Sequence, residues 1–313
     1  MVLSVFVFLL DNFAVFWLGW PGLGNMLAHI GLLEGTGKPI ATDSLVYGWL
    51  ELTLIILSAV FVVLMVKRSG MREFDQDAET YSALAAYIVR GAFWAILLVG
   101  LADMLISFLR VEGLLAVVVG EELTTQLGRS IFRGSFIHYP LILAGFVIAI
   151  FTRTLGFIWL ALLIVAAEFL IVLTRFVFSY EQAFMGDLVR FWYAGLFLFA
   201  SAYTLLHDGH VRVDVFYANF SPRGKAITNT IGSLLLGLPL CWNILIQGMS
   251  GKGSIINSPL LSFEISQSGF GMYTKYLMAG YLVIFAVSMA IQFTAFFLSN
   301  CQVLRQQTAG GRN

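Results

Sequence analysis

Apolar runs close to the length of a membrane-crossing helix follow one another from the second residue almost to the end of the chain, separated by short polar breaks. About 20 mostly apolar residues are what an α-helix needs to cross bilayer hydrocarbon. This recurrence constrains the fold more than any other feature of the sequence. Composition points the same way. The chain is 59% hydrophobic and 12% charged, with a mean hydropathy of +0.88. That leaves too little polar surface to cover a water-facing body. The expected fold is all-α: a polytopic membrane helix bundle with about eight membrane helices and no soluble domain of any size.

The expected spans are Val2 to Trp20, Ser44 to Val66, Ser82 to Leu109, Pro140 to Phe151, Gly156 to Phe178, Leu188 to Leu206, Ile227 to Met249 and Tyr276 to Leu298. The first has no Lys or Arg ahead of it, unlike a secretory signal, and is read as a retained helix. Tyr139 to Tyr180 is apolar enough to read as one block, but a single helix of that length would reach about 60 Å, twice a bilayer core. Its polar tripeptide Thr152-Arg153-Thr154 divides it, leaving Pro140 to Phe151 short enough to be re-entrant or strongly tilted. Arg110 to His138 reads as a polar loop, with an interfacial amphipathic helix over Glu121 to Phe132. The tail from Gln302 is polar.

If each span crosses once, Lys67, Arg68, Arg72, Arg153, Arg212, Arg223, Lys225, Arg305 and Arg312 share one side, and Lys38, Arg110, Arg129, Arg133, Lys252 and Lys275 the other. The richer set is expected inside, which places both termini in the cytoplasm. One internal echo stands out. Ala102 to Arg110 aligns with Ala167 to Arg175, each with an acid (Asp103, Glu168) seven residues before an arginine and so on one helix face.

Several chemistries have no footing. A formal net charge of +0 and the absence of a long basic stretch argue against nucleic acid. Cys241 and Cys301 are far apart and read as packing or membrane-edge residues. His29, His138, His207 and His210 fall at expected span ends or in loops, not on facing helices as a membrane haem requires. No phosphate loop, zinc spacing or nucleophile with a base partner is visible, so no enzyme and no cofactor is expected.

Ionisable residues within spans are costly and need partners or water. They are Asp11, Glu51, Arg90, Asp103, Glu168, Arg175, Asp187 and Arg190. Glu168 is expected to pair with Arg190 or Arg90 across helices. Asp187 and Arg190, three apart at a helix start, suit an ion pair along one face. A rival reading has Asp11, Glu51, Asp103 and Glu168 lining the path of a self-sufficient channel or carrier.

The most informative stretch runs from Gly186-Asp187-Leu188-Val189-Arg190-Phe191-Trp192 to His207-Asp208-Gly209-His210-Val211-Arg212-Val213-Asp214. It resembles the DctQ-type small membrane subunit of tripartite ATP-independent periplasmic (TRAP) transporters. That family has an acid and an Arg at the start of its second helix, then aromatics, a small-residue patch and a Gly-His-hydrophobic-x-Val-Asp turn. Arg190, Trp192, Gly209, His210, Val213 and Asp214 match as they stand, Asp187 replaces a commoner Glu, and Arg175 matches an Arg near the end of the family's first helix. The resemblance covers Gly156 to Val303. It implies a DctQ-like four-helix domain over 156–303, an N-terminal extra region over 1–155 and a polar tail over 304–313. The last helix lacks a proline expected near its start.

The resemblance further implies a non-catalytic scaffold in a bacterial inner membrane. Its expected partners are a large DctM-type membrane subunit, a periplasmic substrate-binding protein and membrane lipids, and the complex would take up an organic acid on an ion gradient. The expected structural and subunit-contact residues are Glu168, Arg175, Asp187, Arg190, Trp192, His207, His210, Arg212 and Asp214.

Overall fold

A computed structural model describes residues 1–33, 40–68, 74–153, 157–180, 182–207, 217–266 and 271–310. Among them there is no strand, and twelve helices account for the architecture. In chain order these are α1 (Val2–Phe16), α2 (Leu23–His29), α3 (Thr42–Arg68), α4 (Phe74–Val111), α5 (Leu115–Val119), α6 (Glu121–Leu127), α7 (Ser130–Phe151), α8 (Phe157–Phe178), α9 (Ala183–Leu206), α10 (Pro222–Met249), α11 (Asn257–Ser262) and α12 (Lys275–Gly310). Seven of them, α3, α4, α7, α8, α9, α10 and α12, are long and apolar enough to cross a membrane.

The remaining expected span, α1, has 15 residues, about 22 Å of helix against roughly 30 Å of hydrocarbon. It stops early because Gly19 and Gly22 take left-handed backbone around Pro21 and turn the chain into α2.

The expected loop at 110–138 is corrected in its second half. The helix that leads to Phe151 begins at Ser130, not Pro140, so α7 is a full-length span. Proline inside a helix removes one backbone donor and crowds the preceding turn. Here the turn before Pro140 widens into a π turn over Gly134–His138, and the helix continues. The same device recurs in α10, where the π turn Ser233–Gly237 precedes Pro239.

The core is organised around α4, which packs against α12, α7 and α9. Helices α8 and α10 lean on α9 and α12 respectively. Small residues bring the helices close, as is usual in membranes. A Cβ on Gly145 of α7 would lie 2.5 Å from the Ala95 backbone nitrogen of α4, and one on Gly100 would lie 2.3 Å from the Trp192 indole nitrogen. Helix α1 joins the bundle through the Asn12 side chain, whose Nδ2–H donates to the Met249 carbonyl at 2.7 Å, and through an edge-on Phe8–Trp242 contact. Almost none of α3 is buried, apart from Gly48 and Glu51.

Candidate functional site

Asp103, Ser107 and Arg110 lie four and seven residues apart on one face of α4. That face meets Arg133 and His138 of α7. A regular α-helix would splay residues five apart, but the π turn between these two closes at i→i+5 and turns them toward the same neighbour. Asp103 and Arg133 are each 0% exposed. The Asp103 Oδ1 accepts from Arg133 Nη1 at 2.8 Å and lies 3.1 Å from His138 Nε2. Arg133 also donates to the Leu127 carbonyl at 3.0 Å and to Ser107 Oγ at 3.2 Å. Its guanidinium sits over the Tyr273 ring, 4.1 Å from the centroid.

A carboxylate only accepts, so His138 carries a proton on Nε2; a neutral ring then accepts the Tyr276 hydroxyl proton at Nδ1, 2.9 Å away. In that state the cluster holds one negative and one positive charge, an arrangement hydrocarbon tolerates far better than a lone ion.

Two carboxylates grip consecutive amides of the turn that leads into α12. Asp103 Oδ2 accepts from the Tyr273 N–H at 2.7 Å, and Asp187 Oδ2 from the Met272 N–H at 3.1 Å. Arg110 adds hydrogen bonds to the Tyr273 hydroxyl and to the Gly271 carbonyl, and Tyr273 donates to the Gly128 carbonyl at 3.1 Å. Helices α4, α7, α9 and α12 are thus tied at one point. Beside it a cavity of about 560 Å³ is lined by the pairs Asp187–Arg190 (3.4 Å) and Glu264–Lys275 (2.6 Å).

The residues expected from sequence to form the site fall in different places. Asp187 and Arg190 pair as the i,i+3 spacing suggests, with the arginine 75% exposed. Trp192 is buried and donates from Nε1 to the Ile96 carbonyl of α4 at 3.1 Å. His207 ends α9, its Nδ1 3.0 Å from the Tyr203 carbonyl and its ring against that tyrosine's. His210, Arg212 and Asp214, with the rest of the turn, lie outside the described residues.

Glu168 makes no ion pair with Arg190 or Arg90, because it does not face the bundle interior. It is exposed on α8 in line with Val165, Val172 and Arg175, which are exposed too. Nor do Asp11, Glu51, Asp103 and Glu168 line one path. Asp103 is sealed in the ion cluster, Glu168 faces outward, and Asp11 and Glu51 border a separate cavity between α1 and α3.

Sequence reasoning missed Arg133, His138, Tyr273 and Tyr276. Sequence position alone makes Arg133 and His138 loop and span-end residues, yet both are fully buried in α7. The signal available was Pro140, which marks a π turn if the helix is taken to begin before it.

The geometry defines the class: an all-α, multi-pass membrane protein whose polar interior holds helices together. The family comparison is more particular. Residues 161–302 match the model described as tripartite ATP-independent periplasmic transporters, DctQ component, so this segment, from α8 to α12, is a DctQ domain. No curated protein and no solved structure matches the chain.

Proposed function

We propose that the chain is the small membrane subunit of a TRAP transporter, a scaffold for a larger membrane subunit. In this reading the large subunit carries an organic acid on an ion gradient, a periplasmic protein delivers it, and the complex sits in a bacterial inner membrane. The observation that carries the reading is the DctQ domain at 161–302. The outer face of α8 gives it a surface. Glu168 stands about mid-helix among apolar residues with no partner among the described residues. A carboxyl group facing hydrocarbon is costly, and a neighbouring subunit that supplies a donor or a cation removes the cost. Arg190, at the rim of the 560 Å³ cavity, offers a second contact point.

Under this proposal residues 156–303 are the partner-binding domain and 1–155 an added region packed against it through α4, with the polar tail over 304–313. Cytoplasmic placement of both termini needs an even number of crossings, so α1 crosses with the other seven, through a locally thinned bilayer. No catalytic role is assigned to any residue.

The test is co-expression with a cognate large subunit. Deleting this chain abolishes uptake, and Arg190→Ala lowers co-purification of the two subunits without changing substrate preference. Full-rate uptake by the large subunit alone overturns the proposal, and unchanged co-purification of Arg190→Ala removes Arg190 from the interface.

A further inference from the structure

Helices α1 and α3 enclose a cavity of about 410 Å³ that belongs to neither the ion cluster nor the DctQ domain. Its walls include Phe13, Trp20 and Leu54, and its polar groups are Asp11, Glu51 and Ser58. Glu51 is 3% exposed. One of its oxygens accepts from the Gly22 N–H at 3.1 Å, a bond set up by the left-handed backbone of Gly22. The other oxygen, Oε1, is buried without a donor, and so is Oδ1 of Asp11.

The two side chains face the same recess, each with one buried oxygen that no donor meets. Of the other titratable groups nearby, Tyr47 stacks on Trp20, and His29 closes the short helix α2. Two carboxylates that share one apolar recess repel each other when both are ionised, so the recess favours a proton or a cation between them.

That recess is shaped for a particular counter-charge. A hard metal ion wants about six oxygen ligands, whereas these walls offer two carboxyls and the Ser58 hydroxyl, whose proton is donated to the Ile55 carbonyl. The remaining lining is aliphatic and aromatic, and the volume falls in the usual range for small-molecule pockets. Leu10, Leu18 and Leu54 at the walls are well exposed, so the cavity opens to the outside of the bundle, where lipid would lie.

We propose that the α1–α3 cavity binds a hydrophobic organic monocation, whose charge meets the Asp11–Glu51 pair and displaces the shared proton while its apolar body lies against Phe13 and Trp20. The exchange balances: one monocation enters and one proton leaves.

The test uses the full chain in maltoside micelles, titrated with tetraphenylphosphonium by equilibrium dialysis. The expected result is one saturable site per chain, with affinity rising about tenfold per pH unit while the proton is displaced. Glu51→Gln weakens binding by more than about tenfold. Leu54→Trp, which narrows the cavity and keeps both carboxyls, weakens it as well and guards against a folding defect in the first variant. Competition by an ammonium-headed lipid assigns the site to lipid headgroups, and its absence to free organic cations. Non-saturable partitioning, pH-independent affinity, or full-strength binding by both variants overturns the proposal.

Discussion

Two regions of this protein carry the same sequence pattern and meet opposite fates. On α4, Asp103 precedes Arg110 by seven residues, and on α8, Glu168 precedes Arg175 by seven. Asp103 is fully enclosed, held by Arg133, His138 and a backbone amide. Glu168 looks outward from a helix that contacts mainly α9. The spacing sets only which residues share a helix face; the number of neighbours a helix has decides what that face meets. Helix α4, at the centre, satisfies Asp103 inside the chain. Helix α8, at the edge, leaves Glu168 without a partner among the described residues, which suits the proposed subunit role.

The comparison breaks first if the enclosed region turns out not to depend on its ions. Arg133→Met leaves Asp103 buried without its cation, and a loss of about 3–5 kcal/mol is expected in a dodecyl sulfate unfolding titration of the micellar protein. The double variant Asp103→Leu/Arg133→Met removes both charges and should regain most of that loss. A single variant as stable as the wild type would mean that water or lipid reaches Asp103.

Packing around the cluster comes next. Gly145→Ala pushes a methyl group into the α4 backbone at Ala95, where no side chain can swing aside. A loss of about 1–3 kcal/mol is expected in the same titration. Trp192→Phe keeps the ring and removes its donor to the Ile96 carbonyl. That change should cost about 1 kcal/mol, with no loss of helix content by circular dichroism. If Trp192→Phe proves more damaging than Gly145→Ala, the α4–α9 contact rather than α4–α7 is the seat of the bundle's stability.

The spans were legible in the sequence because hydrocarbon admits so few ways to satisfy a backbone. Their ends were less so. Hydropathy marks where a helix crosses lipid, and α4 starts among Asp75, Asp77 and Glu79, while α12 runs on past its apolar stretch. The polar partners were the least legible. Arg133 lies 30 residues from Asp103 in the chain, and Tyr273 lies 170 away. Pro140 is the one local hint, for α7 alone, and only the docking of α7 and α12 on α4 gives these residues their roles. The Asp187–Arg190 pair was readable because its i,i+3 spacing sets it, whereas the Trp192 acceptor, the Ile96 carbonyl, lies 96 residues away.

The smallest effect is the most direct probe of the edge region. Glu168→Leu replaces an outward carboxyl with an apolar side chain that suits lipid, and no partner among the described residues is lost. The isolated protein should therefore keep its apparent melting temperature in micelles, while Asp103→Leu alone, which strands Arg133, lowers it. The same Glu168→Leu variant should yield less of a co-expressed large subunit on purification, because the group that fitted the neighbour is gone. A drop in melting temperature equal to that of Asp103→Leu would show that α8 satisfies its acid within this chain after all, and the contrast between the two helices would disappear.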